Sequence, residues 1–256
     1  MEEEMVDFSL TGKVAFVTGA SKGIGRSIAA ALAESGADVA LAARGVEGLQ
    51  ETAALVEKAG RKALVLQCDV TDTGSVEESI TKTVEELGGL DIVVNNAGGT
   101  RFMSPLTDMR EDGWTKVVDL NLTSIFRVCK AAAPHLMSKG KGSVINVASV
   151  DGVSPTPLRA NYSAAKAGVI AVTRVLAQEW AEAGVRVNTL SPGAVETEIW
   201  GSLSENEFFV NMTLERIPMK RWAKPEEMAG AVVFLASDAS SYVTGANLIV
   251  DGGMTA

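Results

Sequence analysis

Histidine and cysteine are scarce in this chain, which has one histidine and two cysteines among 256 residues. Zinc sites are built mainly from clustered cysteine and histidine ligands, so we expect no metal site. The cysteines, Cys68 and Cys129, fall in a predicted strand and a predicted helix. We therefore expect two buried free thiols, as in proteins of a reducing cytosol.

Long apolar runs are also missing. No uninterrupted hydrophobic stretch approaches the roughly 20 residues that cross a bilayer, so we expect no membrane span. Residues 1–4 are acidic after the first methionine and are followed by no long apolar segment, which does not fit a secretory signal. These features predict a cytoplasmic protein.

Positive charge is in deficit, because 23 Lys and Arg face 32 Asp and Glu, for a net charge of −9. Such an acidic chain is a poor partner for nucleic acid or an anionic membrane surface, and we expect neither. An anionic cofactor is still compatible with it, because backbone amides and a few local cations can bind phosphate groups.

Short apolar runs alternate with helical patterns along the whole chain, which is 46% hydrophobic. This alternation indicates parallel strands joined by right-handed crossovers. We predict an α/β fold, a doubly wound (Rossmann) parallel sheet of seven strands with helices on both faces. The predicted strands cover residues 13–18, 37–43, 62–68, 91–95, 142–148, 185–190 and 247–250, and the predicted helices cover 26–35, 46–59, 75–87, 113–137, 160–183 and 225–236.

Neither a linker nor a change in composition divides the chain, so we predict a single domain over residues 1–256. One helix, 113–137, is expected to break at Pro134. Residues at about 198–219 interrupt the strand–helix rhythm and are expected to be a segment inserted on the substrate side.

A glycine-rich turn, Thr18-Gly-Ala-Ser-Lys-Gly-Ile-Gly25, lies between the first predicted strand and the first helix. This is the context in which glycines let the backbone approach a pyrophosphate while a helix N-terminus supplies amide donors. Ligands of doubly wound sheets bind at the carboxyl ends of the strands. We therefore expect one edge to carry the residues that follow the strands, namely Gly19–Gly25, Arg44, Asp69, Asn95–Gly98, Ser149 and Ser191–Gly193.

Tyr162 and Lys166 are four residues apart in the predicted helix 160–183, which places them on one helical face. A free phenol has a pKa near 10 and is a poor acid or base at neutral pH. A neighbouring ammonium group favours the phenolate, so we expect Lys166 to lower the pKa of Tyr162. An ordinary exposed pair on a helix is the alternative.

These motifs, together with Asn121 and Pro192-Gly193, resemble the short-chain dehydrogenase/reductase family over nearly the full length of the chain. Ser149 precedes Tyr162 by thirteen residues, as in the family pattern. The resemblance implies NAD(P)-dependent interconversion of an alcohol and a carbonyl, with Asn121, Ser149, Tyr162 and Lys166 as the catalytic set.

In the roles that the resemblance implies, Tyr162 is the general acid/base and Ser149 holds the substrate oxygen. Lys166 binds the nicotinamide ribose, and Asn121 helps hold a water that relays protons. The implied cofactor-binding residues are Gly19, Ser21, Lys22, Gly23, Ile24, Gly25, Arg44, Asp69, Val70, Asn96, Ala97, Gly98, Tyr162, Lys166, Pro192, Gly193, Val195 and Thr197.

The end of the second predicted strand bears on the choice of cofactor. NAD-specific sites usually place an acid there, which binds the adenine-ribose hydroxyls and repels a 2′-phosphate. This chain has Ala42, Ala43 and Arg44, and Lys22 is expected to reach the same region. We expect NADP(H) to be preferred, with NAD(H) possible. The alternative is that Arg44 only caps an exposed loop.

The sequence gives less information about which residues contact the substrate. Candidate contacts are Arg101, Asp151, Val153 and Trp200, with the segment 198–219 as either an apolar lid or a helix pair packed on the core. Arg101 and Arg159 are possible contacts for an anionic substrate, although a surface position for both is favoured. His135 is expected to be structural.

Four functions are compatible with these features. The first is a general ketone/alcohol oxidoreductase, and the second is a 3-oxoacyl-[acyl-carrier-protein] reductase, as one group of the family is. An acidic carrier would need a basic patch from Arg127, Lys139 and Lys141, because the chain as a whole is acidic. The third is a sugar (glucose) dehydrogenase, and the fourth is a non-catalytic dinucleotide-binding protein. The resemblance also implies a homotetramer acting on a small-molecule substrate.

Overall fold

The protein is described by a computed structural model that covers residues 6–100 and 103–256, with only the backbone described at 199, 202 and 203. Seven parallel strands form one sheet in the order β3-β2-β1-β4-β5-β6-β7, which confirms the predicted fold class. The strands are β1 (Val14–Thr18), β2 (Asp38–Ala43), β3 (Ala63–Gln67), β4 (Ile92–Asn95), β5 (Gly142–Val147), β6 (Val185–Pro192) and β7 (Asn247–Val250).

The helices follow the predicted alternation with the strands. They are α1 (Gly23–Glu34), α2 (Val46–Lys58), α3 (Thr73–Leu87), α4 (Glu111–Val118), α5 (Ser124–Ser138), α6 (Ala160–Trp180), α7 (Glu207–Glu215) and α8 (Glu226–Ala236). Predicted ends differ from these by a few residues, as helix ends do when only the pattern sets them. None of the helices in the described part of the chain is long and apolar enough to cross a membrane.

The sheet separates two hydrophobic layers because alternate residues of a strand face opposite sides. In β1, Val17 packs with the layer that contains Ile28 of α1 and Met228 of α8. Its neighbour Phe16 packs with the layer that contains Ile125 of α5 and Val169 of α6. Helices thus cover both faces. Both cysteines are buried free thiols, as predicted.

The predicted break at Pro134 is wrong. Helix α5 continues through Pro134, which is exposed, as is Lys130. The carbonyl of Lys130 that loses its amide partner can therefore bind water. The interruption comes earlier, where a π-helical turn at Asp119–Thr123 separates α4 from α5.

Candidate active site

The carboxyl ends of β1 and β4 are joined by polar contacts at the centre of the sheet. The Thr18 hydroxyl accepts hydrogen bonds from the amides of Asn96 and Ala97, both at 3.0 Å. The side-chain amide of Asn96 donates to the Thr18 carbonyl at 2.9 Å. These bonds hold the Asn95–Gly98 loop against the glycine turn, so the two predicted motifs lie at one edge.

The glycine turn leaves no room for side chains. A Cβ at Gly25 would lie 2.3 Å from the Gly19 carbonyl oxygen and 2.4 Å from Asn96 Nδ2, and Gly19 and Gly23 have positive φ angles of 66° and 55°. Helix α1 begins at Gly23 with no side-chain cap and no acid in its first turn. Its first amides are therefore available to an anion, which fits a pyrophosphate.

Ser149, Tyr162 and Lys166 come together where β5 and α6 meet. Lys166 is 3% exposed, and its ammonium donates to the Val147 carbonyl at 2.7 Å. It lies 5.7 Å from the centroid of the Tyr162 ring. Ser149 lies two residues after the end of β5, and its hydroxyl interacts with the Tyr162 phenol. A buried cation, a phenol and a hydroxyl therefore share one site.

Burial dominates the acid–base properties of this cluster. It raises the pKa of Tyr162 to about 12, and the Asp151 carboxylate adds to the rise, while the Ser149 hydroxyl and the Arg159 guanidinium oppose it. Burial also lowers the pKa of Lys166 to about 8. The expected lowering of the Tyr162 pKa is thus wrong for the protein alone, because loss of hydration penalises the phenolate more than its neighbours stabilise it.

Asn121 lies in the π-helical turn and is fully buried. Its side chain accepts from the Gly99 amide at 2.7 Å and donates to the Gly99 carbonyl at 2.9 Å. A Cβ at Gly98 would lie 2.7 Å from Asn121 Oδ1 and 3.2 Å from Lys166 Nζ. Asn121, Gly98 and Lys166 are therefore neighbours, and the wide turn is what aims Asn121 at the loop after β4.

Comparison with known proteins gives consistent matches. A family model described as Enoyl-(Acyl carrier protein) reductase matches residues 19–255. The 3-oxoacyl-[acyl-carrier-protein] reductase of Vibrio cholerae is 44% identical over 96% of this chain and 98% of its own length. The chain belongs to the short-chain dehydrogenase/reductase family.

Two solved structures of this family illustrate its range. The gluconate 5-dehydrogenase of Burkholderia cenocepacia, in complex with NADP and tartrate, superimposes with a TM-score of 0.93 at 36% identity, covering 98% of each chain. The carveol dehydrogenase of Mycobacterium avium, in complex with NAD, gives 0.92 at 35% identity, covering 96% of this chain and 98% of that one. Our protein is accordingly an oxidoreductase of CH–OH and C=O groups.

Within this short-chain dehydrogenase/reductase, a cavity of about 630 Å³ adjoins the glycine turn at the ends of β1 and β2. Arg44 is exposed beside it, and its backbone carbonyl accepts from Gln67 at 3.1 Å. Lys22 lines this cavity and forms an ion pair with Glu198, a pairing that the sequence did not predict. Sequence reasoning missed Glu198, which lies at the start of the segment after β6.

The remaining predicted cofactor residues lie around the same edge. Asp69 follows β3, and its pKa is lowered by hydrogen bonds from the Thr71 hydroxyl and amide. Gly193 donates to the Val250 carbonyl at 3.0 Å, beside the end of β7. Thr197 Cγ2 would lie 3.3 Å from a Cβ at Gly23. Ile24 lies in the first turn of α1 and Pro192 at the end of β6, while Ser21, Val70 and Val195 lie in the segments that follow β1, β3 and β6, with Val70 and Val195 buried.

The substrate side of this short-chain dehydrogenase/reductase differs from expectation at two arginines. Arg101 lies outside the described residues. Arg159 is not on the surface as favoured: its side chain is 15% exposed and forms an ion pair of 2.6 Å with Asp151, which is itself buried. Arg159 directly precedes α6 and is three residues before Tyr162, and this closeness in the chain was the available signal.

The segment after β6 forms its own hydrophobic cluster. The Trp200 ring lies 5.4 Å from Trp222 and 5.6 Å from Phe209 between centroids, and its indole donates to the Val195 carbonyl at 2.8 Å. Val153 is 44% exposed and Phe208 is 79% exposed. Trp200 is thus anchored beside the cofactor edge, while α7 presents apolar surface to solvent.

Proposed function

We propose that the protein is an NADP(H)-dependent oxidoreductase that interconverts a ketone and a secondary alcohol, with Tyr162 as the general acid/base. The observation that carries this proposal is the meeting of Ser149, Tyr162 and Lys166 beside an uncapped, glycine-rich helix start. The bound nicotinamide cofactor supplies or accepts the hydride. The residues of the chain hold the substrate oxygen and manage its proton.

Each residue has a defined task in ketone reduction. The Tyr162 hydroxyl, protonated at neutral pH, donates its proton to the substrate oxygen, while Ser149 donates a hydrogen bond to the same oxygen. Lys166, held by the Val147 carbonyl, stabilises the phenolate that forms and binds the nicotinamide ribose. Asn121 fixes the loop at Gly99 and helps hold a relay water.

We propose that the 630 Å³ cavity binds the adenosine end of the cofactor, with Asp69 and Val70 beside the adenine ring. Preference for NADP(H) is supported by Arg44, which is exposed beside the cavity and has no ion-pair partner among the described residues. The family includes structures with NADP and with NAD, so NAD(H) is the second choice. Thr197 and the glycine turn complete the predicted contacts.

The test is cofactor titration and turnover on the same preparations. We expect NADPH to bind more tightly than NADH, and Arg44→Ala to remove most of that difference. Ketone-dependent oxidation of NADPH should be lost in Tyr162→Phe, which keeps the ring but has no proton to give. Turnover by Tyr162→Phe at the wild-type rate would contradict the assignment. Equal binding of both cofactors by the wild type would contradict the preference.

The oxoacyl carrier-protein function is the second candidate, supported by the Vibrio cholerae relative. The three cations that would have received an acidic carrier are engaged elsewhere, because Arg127 pairs with Asp119, Lys139 with Asp91 and Lys141 with Asp238. Comparing one 3-oxoacyl chain on carrier protein and on a small thiol separates the two. A strong preference for the carrier would favour this candidate.

A sugar or sugar-acid dehydrogenase is the third candidate, supported by the gluconate 5-dehydrogenase structure. Oxidation of polyols or glucose at a rate above that of simple alcohols would favour it. A purely sensing role would require cofactor binding without turnover of any ketone or alcohol.

We further propose that residues 1–256 act as a single domain and assemble into a homotetramer. The apolar side chains of Phe126 on α5 and Val175 on α6 are 57% and 50% exposed, which supports an interface between copies. The cytoplasmic location stays a prediction.

A further inference from the structure

The buried pair of Asp151 and Arg159 lies between the proposed catalytic tyrosine and the segment after β6. The Arg159 guanidinium carbon is 5.9 Å from the centroid of the Tyr162 ring and 5.2 Å from that of Trp200. Asp151 binds Arg159 Nη1 at 2.6 Å. A small substrate held by Tyr162 would therefore lie within reach of this guanidinium.

Asp151 is held as firmly as the arginine that it binds. Its second oxygen accepts from the Thr156 hydroxyl at 2.6 Å, and its backbone amide donates to the Ser149 hydroxyl at 3.1 Å. At 3% exposure, it has little access to water. Both carboxylate oxygens are thus occupied within the protein, which makes Asp151 the anchor of Arg159 rather than a direct substrate contact.

Arg159 has more donors than partners. A guanidinium carries five N–H groups, and among the described residues the only hydrogen bond that Arg159's side chain makes is the one from Nη1 to Asp151. Nε is buried without a partner in the described chain. Nη2 likewise has no partner among the described residues and is not among the fully buried atoms. Unpartnered donors in a largely buried site are costly, and an acceptor brought by a ligand would relieve that cost.

We propose that Arg159 is a substrate-recognition residue, whose open Nη2 edge binds a second oxygen of the substrate near the carbonyl that is reduced. Because Asp151 neutralises its charge, the pair offers N–H donors without net positive charge. A neutral hydroxyl or carbonyl oxygen fits this environment, whereas a carboxylate would face the Asp151 carboxylate. The inference rests on the proposed function and narrows its substrate class to ketones with a neighbouring neutral oxygen.

The test compares substrates that differ only at the second oxygen. 4-Hydroxybutan-2-one and pentan-2-one have the same skeleton, with a hydroxyl in one where the other has a methyl group. Methyl 3-oxobutanoate and 3-oxobutanoate supply a neutral carbonyl and a carboxylate. For each we measure kcat/KM with NADPH in the wild type and in Arg159→Met.

Arg159→Met leaves the Asp151 carboxylate buried without its partner, which destabilises the fold, so the double variant Asp151→Asn/Arg159→Met is measured beside it. Arg159→Lys keeps the cation and loses the planar fork. Melting temperature and NADPH affinity are measured for every variant. These readouts separate loss of recognition from loss of structure.

In the wild type we expect kcat/KM for hydroxybutanone to exceed that for pentanone. In the double variant that ratio should fall about tenfold or more, the effect of losing a hydrogen bond to a charged donor, with partial recovery in Arg159→Lys. An unchanged ratio in a folded variant that binds NADPH overturns the proposal, even if both rates fall.

Three other outcomes would also be decisive. Loss confined to 3-oxobutanoate would overturn the assignment of a neutral acceptor. Failure of the wild type to reduce all four ketones, with NADPH binding intact, would overturn the proposed function and this inference with it. Reduction of all four with no dependence on Arg159 would overturn the inference alone.

Discussion

At the scale of single residues, the main feature is that a phenol and an ammonium group, Tyr162 and Lys166, are buried in one site, where burial shifts their pKa values in opposite directions. Lys166 has its pKa lowered to about 8 by burial, whereas burial raises that of Tyr162 to about 12. Near pH 7 the lysine is therefore charged and the tyrosine protonated. This is the ionisation state that ketone reduction requires, because the phenol must give up a proton beside a cation.

Replacing Lys166 by Met should stabilise the fold while abolishing activity. The ordinary lysine pKa of 10.5 in the unfolded chain lies above the folded value of about 8, so burying the charge opposes folding below pH 8. At pH 7 we expect the free energy of unfolding to rise by about 2 kcal/mol and activity to fall at least about a hundredfold. Urea unfolding at pH 7 and pH 10 checks this, since the gain should shrink as the wild-type lysine loses its proton. Destabilisation at pH 7 would contradict it.

Ketone reduction should decline as pH rises through about 8. Above that pH Lys166 loses the charge that stabilises the phenolate, while Tyr162 stays protonated up to a pKa of about 12. The measurement is kcat/KM for the ketone at saturating NADPH between about pH 6 and pH 10, with unfolding followed at each pH as the control. A flat profile across this range would show that the charge of Lys166 is not required.

At the scale of elements, two local departures from regular geometry shape the site. The π-helical turn between α4 and α5 places Asn121 against Gly99, and the glycine turn brings β1, α1 and the Asn96 loop into contact. Both are places where backbone spacing, not side-chain chemistry, sets the fit. A substitution that adds even a methyl group at either place should strongly reduce stability or cofactor affinity.

Gly25→Ala should lower both stability and NADPH affinity. Its Cβ would meet the Gly19 carbonyl at 2.3 Å, and backbone cannot rotate away as a side chain can. We expect a loss of about 1–3 kcal/mol of unfolding free energy. Gly113→Ala is the matched control, because a Cβ there meets nothing within 4 Å and a helical alanine is favoured by up to about 1 kcal/mol. Equal effects of both variants would mean that the turn tolerates a side chain.

At the scale of the whole molecule, α5 and α6 each present an apolar side chain to solvent. Phe126 is 57% exposed and Val175 is 50% exposed. The ammonium nitrogen of Lys130 lies 5.8 Å from the centroid of the Phe126 ring. A single copy leaves these side chains in water, which is unfavourable in proportion to their area. Association with other copies would remove them from it.

Phe126→Asp should therefore reduce the assembled mass in sedimentation velocity. A charge buried in an interface without a partner opposes association. Phe208→Asp is the control, because Phe208 is 79% exposed on α7, outside the proposed interface. A wild-type monomer, or an unchanged mass for Phe126→Asp, would contradict the proposed homotetramer.

The sequence by itself determined the fold class, the single parallel sheet and the residues at its carboxyl edge. Strand and helix periods fix which faces are apolar, and parallel topology brings all strand ends to one edge. Thr18, Asn96 and the glycine turn meet for that reason. These features depend on the local hydrophobic pattern and on the order of the elements along the chain, and both can be read from the sequence.

Only the tertiary structure decided the electrostatics and the substrate side. The direction of the Tyr162 pKa shift depends on how much surrounding protein excludes water, which no spacing reveals. The burial of Arg159 by Asp151, the pairing of Lys22 with Glu198 and the π-helical turn at Asn121 each depend on contacts between elements or on their packing. The sequence by itself determined only the positions of these residues along the chain, and three-dimensional packing selected their partners.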